Sequence, residues 1–333
     1  MPPIGATSSS AGFRGEIMLR ALLADISLMG TLKVSILRDP ELGCLDLPSS
    51  TFVVPWLPHH DALSLVDECI QQADAIWPLA PESNGVLEAI SSRALQYNKL
   101  LLGSSPAAVR LTASKYRTSQ VLHAAGVAAV ATYRVNATLP SDSQAWVVKP
   151  DDGAGCSDTR IFSHPKAARQ WIAAQHQGDY VLQPYLSGRP CSLSLLCGTD
   201  EVLMLGCNDQ RVAVSDNQFH SMGSTVNSID DDSGELQRLA RQVVSAIPGI
   251  WGFAGINLIL TNQGPVVLEV NPRMTLSHAG LHASIGVNPV EILMDMLRQG
   301  HCGVTKNHQR SRQVSIDVNA WQHRTPAPGS IAR

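Results

Sequence analysis

The apolar positions of the first hundred residues switch repeatedly between two periods. Glu16–Met29 (EIMLRALLADISLM) spaces its apolar residues as a helix does, and Lys33–Leu37 (KVSIL) is a short β-branched run. Asp61–Ala73 predicts a helix, and Asp74–Leu79 (DAIWPL) a buried strand ending at Pro78. Gly85–Tyr97 predicts a helix and Leu100–Gly103 (LLLG) a further strand. Strands alternating with helices predict a parallel sheet with helical crossovers, so residues 1–104 are expected to form an α/β domain.

The pattern changes across Ser104–Pro106. Thr112–Ala125 predicts one helix closed by Gly126. Short strands then dominate, at Ala129–Val135, Ala145–Lys149, Thr159–Phe162 and Tyr180–Gln183, with a helix at Pro165–Gln175 among them. From Gly188 onward, strands are expected at Ser192–Cys197, Val202–Asn208, Ala254–Leu260 and Val266–Val270, and a helix at Glu235–Ile247. The expected division is 105–186 for one α+β lobe, 187–322 for a second, and 323–333 (HRTPAPGSIAR, from His323) for a flexible tail. No internal repeat is visible.

Composition narrows the function classes. With 333 residues, 44% hydrophobic and 16% charged, the chain has core material for two or three lobes around a shared cleft. A net charge of −3 gives no electrostatic case for a nucleic-acid partner. No apolar run approaches the length that spans a bilayer, and the small polar start lacks a signal-peptide core. Seven cysteines without CxxC spacing suit a reducing compartment. These features lead us to expect a cytoplasmic protein without nucleic-acid or membrane partners. Pairing into a homodimer is common for soluble enzymes.

Two segments carry candidate chemistry. In WVVKPDDGAGCSDTRIF an apolar strand delivers Lys149, Pro150 stops it, and a small-residue loop with Gly153 and Gly155 leads into a second strand. Glycine amides can approach a triphosphate without Cβ obstruction, and Lys149 supplies a cation. A surface hairpin with a turn-forming DDG explains the same residues. No P-loop or dinucleotide fingerprint is present. In VVLEVNPRM, Glu269 and Asn271 are two apart on a strand and share a face, with Leu268 and Val270 expected on the apolar side. The preceding GINLIL, joined through TNQG, would set Asn257 beside Glu269 in a hairpin. Three hard oxygen donors suit Mg²⁺ holding phosphate oxygens. Arg273, fixed after Pro272, adds a cation at that edge.

Weaker signals complete the inventory. Arg189 and Arg211 are candidates for gripping a substrate carboxylate, against the alternative of solvated surface residues. His278 and His282 are four apart, but no third ligand or HExxH glutamate makes them a zinc set. His278, just past Arg273, is a candidate for lining the acceptor pocket. Cys191, Cys197 and Cys207 lie on or beside strands, lack a base partner and are expected in the core.

In combination these segments resemble the ATP-grasp superfamily over roughly Ser104–Gln299. Three elements occur in order: Lys115 in LTASKYRTSQVLHAAGV, the loop VVKPDDGAGCSD, and LEVNPRM, with YVLQPYLSG similar to the adenine-binding hinge. The resemblance implies a two-lobed domain holding the nucleotide between antiparallel sheets, preceded by an α/β domain. It implies that Lys115 and Lys149 contact the α- and β-phosphates and that Asp152, Gly153, Ala154, Gly155 and Ser157 close over the triphosphate. Gln183, Pro184, Tyr185 and Leu186 would line adenine. Asn257, Glu269 and Asn271 would hold Mg²⁺ (or Mn²⁺), and Arg273 would stabilise the transferring phosphoryl group. The chain departs from the pattern at the hinge, where Gln183 stands for a frequent acid, and after Gly188, where Arg189 and Pro190 replace the usual ribose-binding acid. The first strand of the N-terminal domain is also missing. The segments MLRALLAD, APESNGVLEAI, LLGSSPAAVRLTASKY and EVNPRMTLSHAGL further resemble the tyramine–L-glutamate ligases of methanofuran-type cofactor synthesis. The implied activity is an ATP-dependent carboxylate–amine ligase working through an acyl phosphate, on small-molecule acid and amine substrates. An ATP-grasp kinase and a non-catalytic ATP-binding module are the alternatives.

Overall fold

The computed structural model describes residues 9–39, 47, 51–57, 62–140, 145–153, 155–175, 178–301 and 312–318. The chain begins with α1 (Ser9–Met29), β1 (Val34–Arg38), β2 (Thr51–Pro55), α2 (Ala62–Gln72), β3 (Ala75–Ile76), α3 (Val86–Gln96) and β4 (Leu100–Leu101). β1 pairs parallel with β2 from Val34↔Thr51 to Arg38↔Pro55, and β3 pairs parallel with β4. The pairing is parallel, as the alternation predicts, but it falls into two short pieces. The strand expected at Asp74–Leu79 shrinks to two residues. Pro78 has no N–H to continue a ladder, and Trp77 instead stacks on Phe253, with ring centroids 5.7 Å apart.

The expected single helix at Thr112–Ala125 is two, α4 (Pro106–Ala113) and α5 (Lys115–Ala124). Ser105 and Ser114 each cap a helix with their side chains, accepting from Ala108 N and Arg117 N. Pro106 occupies the first turn of α4, so the compositional boundary marks a helix start.

The following strands are β5 (Tyr133–Arg134), β6 (Trp146–Pro150), β7 (Arg160–Phe162) and β8 (Tyr180–Pro184), with α6 (Pro165–Ala173) between the last two. Then come β9 (Arg189–Cys197), β10 (Val202–Ser215), β11 (Gln218–Val226), α7 (Glu235–Ala246), β12 (Gly252–Thr261), β13 (Gly264–Asn271), α8 (His278–Ile285), α9 (Pro289–Gln299) and β14 (Val314–Asp317). The sheet order is β13-β12-β9-β10-β11-β7-β6-β8-β5, with β14 on β11. Every ladder of this sheet is antiparallel, and β7 of one half meets β11 of the other at Gln218↔Arg160. The result is two antiparallel sheets meeting at one edge.

Each half has its own core. Trp146, Val148, Tyr180 and Leu182 pack against α6. In the larger half β9 is buried on both faces. Leu193, Leu195 and Cys197 join α7, α4 and α5 residues on one side, while Leu196 packs with α1, α8 and α9 residues on the other. Cys191 and Cys207 lie in the same core as Cys197, as expected, and burial pushes the Cys191 and Cys207 thiols up to about 12.

β2, β11, α9 and β14 were not foreseen. β10 also runs seven residues past its expected end, into a hairpin closed by Asp216 and Asn217, both left-handed. An Asp-Asn pair is a turn signal of that type, so the hairpin was findable. The tail 323–333 lies outside the described residues.

Candidate nucleotide site

Lys149 leaves β6 at the start of the glycine loop, and Lys115 opens α5. Asp151, buried between them, ties the two together. It accepts from Ser114 Oγ at 2.8 Å, Tyr116 N at 2.9 Å and Arg134 Nη1 at 3.1 Å. Its own carbonyl accepts from Lys115 N at 3.0 Å. A lysine at a helix N-terminus meets the positive end of the dipole; the Asp151 carboxylate offsets both. Sequence reading passed over Asp151 in favour of Asp152, although an acid beside a candidate N-cap is a recognisable anchor. Asp151→Ala strands the Ser114 and Tyr116 donors in a buried setting and is expected to cost about 2–4 kcal/mol. Urea denaturation measures this, and a loss within experimental error would remove Asp151 as the anchor.

The loop itself is tightly wound. Gly155, Cys156 and Asp158 are all left-handed, at φ +66°, +66° and +47°, which for two non-glycine residues is held strain. A Cβ on Gly153 would fall 2.9 Å from the Pro150 ring. Lys115 Nζ donates to the Gly153 carbonyl at 2.5 Å and lies 3.9 Å from Glu269 Oε2. Lys149 is close enough to Glu269 and Lys115 for their charges to act on it. Burial pulls its ammonium below the usual lysine range, Glu269 opposes that, and Lys115 reinforces it. Both lysines thus face one carboxylate. Ala154 lies outside the described residues. Ser157 is exposed, and Asp152, also exposed, accepts from Asn84 N through Oδ2 at 3.1 Å.

The opposing wall is the β12–β13 hairpin. Asn257 pairs with Glu269 in register, as expected, and its Nδ2 donates to Glu269 Oε1 at 2.6 Å. Gln210 Nε2 donates to Asn257 Oδ1 at 2.9 Å, so Asn257 is oriented at one end and orients Glu269 at the other. A bulge corrects one detail of the expected strand. Asn257 faces Glu269 but Leu258 faces Val267, leaving Leu268 as the extra residue. The buried residues are therefore Val267 and Val270, and Leu268 is only half-buried. Asn271 lies two residues beyond Glu269, opposite Gly255.

These donors suit a Mg²⁺–nucleotide complex. Among the described residues no group of three or more His, Cys, Asp or Glu side chains could hold a metal ion. One carboxylate with two amide oxygens is a weak set for free Mg²⁺, which takes phosphate oxygens as ligands and needs few carboxylates. Glu269 and Asn271 are the residues that would touch the ion, with Asn257 setting Glu269.

The remaining candidates are dispersed. Arg273 donates through Nη2 to Glu82 Oε2 at 2.7 Å and through Nη1 to the Met274 carbonyl at 3.0 Å. It is therefore fixed by a buried acid of the N-terminal region, within APESNG. Gln183 is buried, and its Nε2 donates to Thr132 Oγ1 at 3.0 Å. The Tyr185 amide donates to the Ala145 carbonyl at 2.9 Å. The Gln183 side chain is thus committed to the protein, while the Tyr185 ring is exposed and Pro184 and Leu186 are half-buried beside it.

Arg189 donates to Asp209 Oδ1 at 2.5 Å on the exposed side, and Arg211 Nη2 donates to the Ile316 carbonyl at 2.7 Å. His278 is 3% exposed, sits edge-on to Phe253 at 4.7 Å, and has Nε2 3.6 Å from Asp25 Oδ2. It is buried at the start of α8, against Asp25 of α1 and Phe253 of β12, and does not line an open pocket. His282 Nδ1 lies 2.6 Å from Asp25 Oδ1, a partner that sequence spacing could not supply from 257 residues away.

Two antiparallel sheets joined along one edge, with a lysine-bearing glycine loop facing a carboxylate strand, define an ATP-grasp fold. Residues 112–277 match the model described as ATP-grasp domain, and residues 32–109 match the pre ATP-grasp 3 domain. The chain belongs to the ATP-grasp superfamily. It is 26% identical over 203 residues to a tyramine–L-glutamate ligase of Methanocaldococcus jannaschii, a match covering 61% of this chain and 56% of that protein's length. The L-amino acid ligase of Bacillus licheniformis superposes with TM-score 0.69 at 18% identity, covering 85% of this chain and 72% of that one. The biotin carboxylase domain of the Hydrogenobacter thermophilus 2-oxoglutarate carboxylase, solved with MgADP and bicarbonate, superposes with TM-score 0.71 at 16% identity, covering 89% and 70%. Both structures share the fold with this chain. No helix among the described residues is long and apolar enough to cross a membrane.

Proposed function

We propose that the protein is an ATP-dependent carboxylate–amine ligase that activates its acid as an acyl phosphate. The carrying observation is the convergence of Lys115 and Lys149 on Glu269 beneath the glycine loop. A carboxylate does not condense with an amine unaided, because its oxygen is a poor leaving group. Transfer of the γ-phosphoryl group to the carboxylate makes phosphate the leaving group; the amine then attacks the carbonyl, loses its proton, and phosphate departs. The protein's share is positioning and charge neutralisation. Lys115 and Lys149 would neutralise the phosphates, the loop would exclude water from the acyl phosphate, and Arg273 would stabilise the transferring group. Mg²⁺ would supply charge neutralisation at the phosphate oxygens.

The tyramine–L-glutamate ligase likeness supports L-glutamate as the acid, through its side-chain carboxylate, and tyramine as the amine. The test is ADP release from the purified chain with L-glutamate and related acids against a panel of amines. Release that requires both an acid and an amine, with an amide product by mass, is expected. Release with an acid or alcohol alone, yielding a phosphorylated product, would make the protein a kinase. Silence with glutamate plus tyramine, but not with other pairs, would remove the narrower assignment only.

A further inference from the structure

Arg189, one of the arginines expected to grip an oxyanion, is paired with Asp209, and Arg211 donates to the Ile316 carbonyl of β14. A further guanidinium reaches the glycine loop from α1. Arg14 Nη1 donates to the Gly155 carbonyl at 2.9 Å, in the glycine loop itself. Its three terminal atoms stand 2.6 Å from where a Cβ on Gly155 would be, so glycine is what lets the fork lie against the loop. Arg14 is near enough to Cys156 and Arg273 for charge to be felt. Burial lowers its pKa, the Cys156 thiolate would raise it, and Arg273 lowers it further.

A guanidinium carries five N–H donors, and among the described residues this one spends a single donor, on a neutral carbonyl. The local charge is also unbalanced. Lys115 and Lys149 share Glu269, Arg14 adds a cation on the Cys156 and Arg273 side of the loop, and Glu82 is taken by Arg273. The helix that presents Arg14 is firmly seated. Asn288 Nδ2 donates to the Asp25 carbonyl at 2.7 Å, and His282 holds the Asp25 carboxylate. Arg14 lies before residue 32, outside both matched family regions.

We propose that Arg14 binds an oxyanion in this site, a terminal nucleotide phosphate or the carboxylate of the acid substrate, while its bond to Gly155 holds the loop down over it. Planar, paired donors suit both anions, and only the second source rests on the ligase reading.

The test compares wild type, Arg14→Lys and Arg14→Met as full chains. Calorimetry gives the affinities for Mg·ATP, for Mg·ADP, and for inorganic phosphate added to the Mg·ADP-loaded protein. Steady-state ADP release, with whichever acid and amine support turnover, gives the KM for the acid. For a phosphate role, Arg14→Met weakens Mg·ATP and inorganic phosphate roughly ten- to a hundredfold and Mg·ADP by less than about twofold. For a carboxylate role, nucleotide affinities hold and the acid's KM rises by a similar factor. Arg14→Lys falls between in either case, because it keeps the charge and loses the fork. Changes within about twofold in all of these, even with faster proteolysis at the loop, would make Arg14 a latch only and overturn the proposal. If no acid and amine pair gives ADP release, the ligase reading fails separately, and the phosphate and Mg·ATP measurements decide Arg14 alone.

Discussion

Glu269→Ala is expected to lower ATP turnover by about 10²–10³-fold while the protein remains folded. Glu269 is a carboxylate that both lysines feel, and it is held at 2.6 Å by Asn257, which Gln210 holds in turn. On the proposed reading its removal would take away a ligand for the nucleotide's metal ion. It also removes the carboxylate whose charge acts on both Lys115 and Lys149. Glu269→Gln keeps the shape but removes the charge, and is expected to fall as far in turnover while retaining more of the stability. ADP release and the thermal unfolding midpoint, measured together, separate the two effects. Wild-type turnover in folded Glu269→Ala would end the assignment of this strand to the site.

Lys149→Ala is expected to reduce turnover by a comparable factor but to act differently on stability. Burial disfavours the Lys149 ammonium in the empty protein, so the truncated protein is expected to melt at the same temperature or higher. The same shift fixes a pH dependence. On the proposed reading the charged form would bind phosphate, and the folded pKa lies below the ordinary 10.5. Mg·ATP affinity in wild type should therefore decline as pH rises, beginning before the range in which an exposed lysine titrates. A bound triphosphate opposes the loss by favouring the ammonium. Lys149→Ala should show weak affinity and little of this pH dependence. Equal alkaline profiles for the two proteins would place the titrating group elsewhere.

What could be read from the sequence follows from how local each determinant is. The Lys149 strand, the glycine loop and the Asn257–Glu269 pairing are encoded within short segments, where period-two alternation and a hairpin of known length fix which residues meet. In the N-terminal region β1, β3 and β4 were legible for the same reason, and β2 was not. Asp151 belonged to a legible segment and was missed because the adjacent Asp152 fitted the loop equally well. Arg14, Glu82 and Asp25 were not legible as parts of anything. Their partners lie 141, 191 and 257 residues away, and no local period reports a contact across that distance. The partners of Arg189 and Arg211 were hidden for a related reason: a guanidinium in a strand says nothing about whether a carbonyl or carboxylate elsewhere meets it.

The extra residue at Leu268 changes what β13 can do. A strictly alternating strand spends every second position on the core, which would put Val267 on the side of Glu269. Two residues facing one partner shift the phase by one step, so Val267 and Val270 both anchor inward while Glu269 and Asn271 remain at the cleft. The hairpin loop and the oxygen-donor segment are in this way decoupled, like two gears with a tooth slipped between them. Packing at one end of the strand can drift over evolution without turning the donors away from the nucleotide.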